Sequence, residues 1–117
     1  MISRSQQRSE RFDVLLGQSI DEAVTSLLSA DVVDALYLNL ERFHSIPRNE
    51  VPRQLKTLSI TLEKTFGESS SKTIGKAIAK SFYAKMEIDF PKRMNPDWTL
   101  LDFIDRAKVG ITPKNKP

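Results

Sequence analysis

The chain has 117 residues and no cysteine, with 39% hydrophobic and 28% charged side chains and a formal net charge of +3. That length suits one domain and that apolar fraction a packed core, while the lack of cysteine excludes disulfide scaffolds, zinc ribbons and thiolate catalysis. Apolar runs are pairs and triplets such as Val14-Leu15-Leu16, far below the ~18 to 20 residues that span a bilayer, so no membrane contact is expected.

The opening stretch MISRSQQRSERF carries Arg4, Arg8 and Arg11 but no apolar segment of the kind a secretory signal needs. Residues 1–18 therefore read as a polar, partly flexible leader, and the cytoplasm is the expected location. From Ser19 the period becomes helical: Ile20, Ala23, Val24, Leu27 and Leu28 gather on one side at 100° per residue. Ser19 and Glu22 have the spacing of a capping box, so a first helix is expected from Ser19 to about Ser29.

Asp31 is the expected cap of a second helix, ending near His44, that turns Val32, Val33, Leu36, Leu40 and Phe43 inward with Tyr37 at the border. The prolines at 47 and 52 forbid a regular helix between them and leave room for one short turn. Pro52 suits the first turn of a third helix, whose stripe of Leu55, Leu58, Leu62 and Phe66 ends at Gly67. Ser69, Ser70 and Ser71 offer caps for a fourth helix, to about Met86, with Ile74, Ala77, Ile78, Ser81 and Phe82 on its buried face. Ile88 to Phe90 read as briefly extended, and Pro91 and Pro96 as an irregular link. Thr99 with Asp102 begins a fifth helix that buries Leu100, Phe103, Ile104 and Ala107, and residues 111–117 read as a flexible tail. The expected fold is all-α: one compact bundle of about five helices over residues 19–110, held by its apolar core without metal or disulfide.

Chemistry-bearing motifs are few. Gly67-Glu68-Ser69-Ser70-Ser71-Lys72-Thr73 has the ends of a phosphate-binding loop, but it lacks the second glycine and the preceding strand, so it reads as a turn between helices. His44 is the only histidine, and at a helix C-terminus it serves the dipole. Asp31/Asp34 and Asp102/Asp105 are spaced to approach a cation, yet they sit at helix starts, where carboxylates satisfy free N–H groups. Trp98 reads as a staple for the fifth helix. No catalytic residue, cofactor or metal site is expected, and the chain reads as a non-enzyme.

Charge is distributed unevenly. Residues 19–45 hold five carboxylates against Arg42, net −4, whereas residues 68–86 hold Lys72, Lys76, Lys80 and Lys85 against Glu68, net +3. Lys72, Lys76 and Lys80 recur every four residues on one ridge of the fourth helix with Tyr83 beside them. A solvated face explains such a ridge, but so does contact with an acidic protein surface or a phosphate backbone.

Several strings in order carry a resemblance: DALYLNLE at 34–41, Val51-Pro52, LEKTFG at 62–67, then Ile74, Ile78, Lys80 and FYAKM at 82–86, and LLDFIDRAK at 100–108. Over about residues 19–108 the chain resembles the archaeal Nitrosopumilus output domain family, small helical modules found alone or joined to sensing and receiver parts. The resemblance implies archaeal origin and a signalling or regulatory setting, and supplies no catalytic residues. The family commonly has glycine after its second helix, where this chain has Ser45, and near the start of the fourth, where it has Ser69 to Ser71. The expected function is a non-enzymatic output or protein-interaction module with Lys72, Lys76, Lys80, Tyr83 and Lys85 as its surface, capable of homo-oligomerisation. The alternative is a small nucleic-acid-binding regulator that adds Arg4, Arg8 and Arg11 as phosphate contacts.

Overall fold

A computed structural model describes residues 4–93 and 95–111, with side chains described for 11–93 and 95–109. Five α-helices and one 3₁₀ helix follow in order: α1 (Arg4–Leu27), α2 (Ala30–His44), the 3₁₀ helix η1 (Arg48–Arg53), α3 (Leu55–Phe66), α4 (Glu68–Met86) and α5 (Leu100–Ile111). Among the described residues there is no strand, so the fold is an all-α single domain.

The first helix begins far earlier than Ser19. The stretch read as a leader is continuous with it from Arg4, and Phe12, Leu15 and Leu16 pack into the core. Ser19 caps nothing. It is fully buried in mid-helix, and its hydroxyl donates to the Leu15 carbonyl at 2.8 Å, an i−4 bond that satisfies the oxygen without water. Its expected box partner Glu22 reaches instead to α4.

Between α1 and α2 the cap is Ser29 rather than Asp31. Its side chain accepts from the Val32 N–H at 3.3 Å, and Asp31 sits in the first turn. The far end closes on Ser45 in left-handed geometry, φ 56°, with Ile46 N–H bonded back to the Leu40 carbonyl. The turn expected between the prolines is η1, and it holds Pro52, so α3 starts three residues later than a Pro52 start would put it. Gly67, at φ 91°, ends α3 and immediately precedes α4. A side chain there would be strained, which is why the break falls at glycine. The three serines consequently lie inside the first turns of α4, not at its cap.

Helix α4 is the hub, packed on α1, α3 and α5. Its buried face is Ile74, Gly75, Ile78, Ala79, Phe82 and Tyr83, so Ala77 and Ser81 stand at the margin of the face expected for them. The link to α5 folds over on aromatics: Phe90 stacks on Phe103, while Tyr83 meets Phe90, and Trp98 meets Phe103, edge to face. Helix α5 opens as expected, with the Asp102 carboxylate accepting from Thr99 N–H at 2.8 Å. Ile111 is its last residue, and the rest of the expected tail, 112–117, lies outside the described residues.

Helix α2 is the exception. It packs on α1, α3 and η1 through Val33, Leu36, Tyr37 and Leu40, and touches neither α4 nor α5. Val32 and Phe43, expected to face inward, point out: Phe43 is 75% exposed and Leu38, on another flank, 49%. At about 100° per residue the five expected side chains and the four buried ones span equally wide arcs, but the buried arc is rotated by about 40° toward Tyr37, which leaves Val32 and Phe43 beyond its edge.

Candidate functional surfaces

The expected interaction surface of Lys72, Lys76, Lys80, Tyr83 and Lys85 is partly consumed by the fold. Lys85 donates to Glu22 of α1 at 2.6 Å, and Ser81 donates to the same carboxylate, so the acidic first helix and the basic fourth do meet within one chain. The hydrogen bond from Lys85 is the main reason the Glu22 carboxyl is held below its ordinary value. Lys72 lies 3.3 Å from Glu68 and 3.7 Å from Asp97. Tyr83 is buried, and its hydroxyl donates to the Phe103 carbonyl at 2.6 Å; burial pushes its phenol up. It is therefore a packing residue and not part of an exposed surface. Lys80 stands 5.8 Å from the centre of the Phe90 ring, and neither it nor Lys76 forms an ion pair among the described residues. Arg11 is exposed on α1; the backbones of Arg4 and Arg8 lie in α1, and their side chains are outside the described residues.

Beside Lys72 and Lys76, the α4–α5 link borders a half-open hollow of about 130 Å³ walled by Asn95, Pro96, Trp98 and Phe103. Trp98 bridges this wall to Arg106, whose guanidinium lies 4.1 Å from the ring centre, so the expected staple also carries a cation–π contact.

A larger cleft, about 560 Å³, lies where η1 crosses α1 and α2. Asp13, Gly17 and Asp21 recur every four residues and so share one line of α1. Arg53 pairs with Asp13 at 2.8 Å, Arg48 pairs with Asp21, and Pro52 rests beside Gly17 between them. Arg48 also lies 4.0 Å over the Tyr37 ring, and the Tyr37 hydroxyl donates to Asp21 at 3.2 Å. Burial first, and then the charge of Asp21, push the Tyr37 phenol up to about 12, so it remains a donor at neutral pH. Each carboxylate here is matched by a guanidinium, which makes the cleft close to neutral and fastens η1 to the bundle. Sequence reading missed it because Asp13 fell in the presumed leader; the regular spacing of 13, 17 and 21 was its only signal.

The remaining candidates do not converge. His44 is exposed at the end of α2, Asp31 and Asp34 are exposed on α2, and Asp102 is used as a cap. Among the described residues no group of three or more metal-ligating side chains comes together. None of the helices is long and apolar enough to cross a membrane among the residues described. Comparison with protein-family models, with curated proteins and with solved structures returns no match.

Expected in the core but exposed in the structure are Val32 and Phe43, about 20° apart on one flank of α2, and Leu27 at the end of α1; Leu38 is exposed on the opposite flank of α2.

Proposed function

We propose that the chain is a non-enzymatic protein-interaction module that docks its partner on the flank of α2 that carries Val32 and Phe43. The observation that carries this reading is Phe43, an aromatic side chain 75% exposed on the least packed helix, with Val32 exposed about 20° from it around that helix. Large apolar groups in solvent mark docking surfaces more reliably than lysines do, because burying them releases free energy whatever the salt. The archaeal signalling setting, which rests on the resemblance of sequence strings, and the cytoplasmic location, which rests on a cysteine-free composition suited to a reducing compartment, belong to the same proposal. One feature agrees with the resemblance: where that family has glycine after its second helix, Ser45 adopts the left-handed backbone that glycine favours.

Exchanging Phe43 and Val32 for glutamate tests the reading, since both lie outside the core. The expected result is a folded protein, checked by circular dichroism, that no longer captures the cellular protein retained by the parent. An unchanged capture profile contradicts it.

Nucleic-acid binding is the weaker reading. It loses Lys85 to Glu22, shares Lys72 with Glu68 and Asp97, and has no exposed Tyr83 for base stacking. Lys76, Lys80 and Arg11 remain to it. A salt-dependent titration of duplex DNA that Lys76→Glu with Lys80→Glu abolishes is its expected signature, and no binding by the parent discards it.

A further inference from the structure

The hollow between α4 and the α4–α5 link has the size of one aromatic ring and an unmatched positive charge at its edge. Its volume is about 130 Å³, and Pro96, Trp98 and Phe103 form its apolar wall. An apolar cavity of ~150 Å³ admits benzene, so a phenyl ring suits this volume, with its edge or face against the indole. Because the hollow is half-open, a polar group carried by that ring stays at the mouth and keeps its water.

Charge around the mouth is uneven. Lys72 is shared between Glu68 at 3.3 Å and Asp97 at 3.7 Å, so both signs are present at that end. One turn further along α4, Lys76 lines the hollow half-buried and forms no ion pair among the described residues. Arg106, 4.1 Å from the centre of the Trp98 ring, forms none among them either. A half-buried ammonium without a carboxylate has given up part of its hydration for no partner, and an anion from solution supplies one. An exposed charge pair alone is worth little, so the anion has to be carried by the ring that fills the hollow.

We infer that this hollow binds a small aromatic acid, a single ring bearing a carboxylate on a short chain. The ring lies against Trp98 and Phe103, and the carboxylate accepts from the Lys76 ammonium at the mouth. A neutral ring leaves Lys76 unmatched, and a bare carboxylate leaves the hollow to water, so both halves are needed for full affinity. The site is separate from the docking face of α2, since α2 touches neither α4 nor α5.

Trp98 is the only tryptophan of the chain, so its fluorescence reports on the hollow directly. Titrating the full chain with phenylacetate is expected to change that emission saturably, with half-saturation in the millimolar range usual for a ligand of about ten non-hydrogen atoms. Benzyl alcohol, the ring without the charge, is expected to need about tenfold more, and acetate, the charge without the ring, to produce no saturable change. Lys76→Gln is expected to weaken phenylacetate to the level of benzyl alcohol with an unchanged circular dichroism spectrum, and Lys76→Arg to keep the parent's affinity. Added salt, a check that needs no variant, is expected to weaken phenylacetate and spare benzyl alcohol. No saturable change with phenylacetate overturns the inference. Equal affinity for phenylacetate and benzyl alcohol, or an affinity for phenylacetate that Lys76→Gln leaves untouched, overturns it as well.

Discussion

Pro52 fills the space beside Gly17 that a side chain would need: a Cβ at position 17 would stand 3.1 Å from Pro52 Cγ. With Arg53 on Asp13 and Arg48 on Asp21 to either side, this close approach lays η1 flat on α1. Gly17→Leu is expected to lift η1, separate both ion pairs and cost about 1–3 kcal/mol, as overpacking of a closed contact does. Urea denaturation measures it; an unchanged midpoint shows that η1 does not rest on Gly17.

Two helix ends carry avoidable strain. Ser45 and Glu87 sit at φ 56° and 58°, where L side chains clash with the following carbonyl, and neither side chain makes a hydrogen bond or ion pair among the described residues. Ser45→Gly and Glu87→Gly are each expected to stabilise the fold by about 0.5–1 kcal/mol, the relief of strain less the added freedom of glycine when unfolded. A lower denaturation midpoint in either variant contradicts the left-handed assignment.

Tyr83 anchors the α4–α5 junction through a buried hydroxyl. Removing only that oxygen, by Tyr83→Phe, is expected to cost about 1–2 kcal/mol, because the Phe103 carbonyl loses its extra donor while the ring contacts persist. The comparison to make is the thermal midpoint of Tyr83→Phe against that of the parent. Equal midpoints place the hydroxyl in solvent.

Stability is expected to fall at both extremes of pH for separate reasons. The Tyr37 phenol is raised to about 12, so its contribution is fully present below the ordinary value of 10 and is lost as pH rises through 12. Glu22 is lowered from 4.5, so its contribution is present above that value and is lost as pH falls through the lowered one. Tyr37→Phe should flatten the alkaline limb and Glu22→Gln the acid limb of a plot of urea midpoint against pH. If both variants keep the parent's curve, neither group is coupled to folding.

The helices were legible wherever an apolar stripe and a terminator coincided. Thr99 with Asp102 and the stripe ending at Gly67 are local signals that survive tertiary packing. The start of α1 was hidden because a serine followed three residues later by glutamate resembles a cap, whereas a buried serine bonded to its own helix looks the same in sequence. The apolar spacing of Phe12, Leu15, Leu16 and Ile20 was the contrary evidence. Phe43 was misread for a different reason. Periodicity reports which side chains share a face, and burial depends on whether another helix covers that face, as α4 does for α1, while no helix among the described residues covers the Val32–Phe43 flank of α2. The lysine ridge was visible as a pattern, but the capture of Lys85 by Glu22, 63 residues away in sequence, is a tertiary event that spacing does not encode.

A photo-activated cross-linking residue in place of Phe43, irradiated in the native cell with Gln54, exposed just before α3, as the reference position, addresses the docking role of α2 most directly. Protein adducts, whether to a second copy or to another chain, are expected from position 43 and not from position 54. Equal labelling at both positions, or adducts to nucleic acid alone, would contradict it.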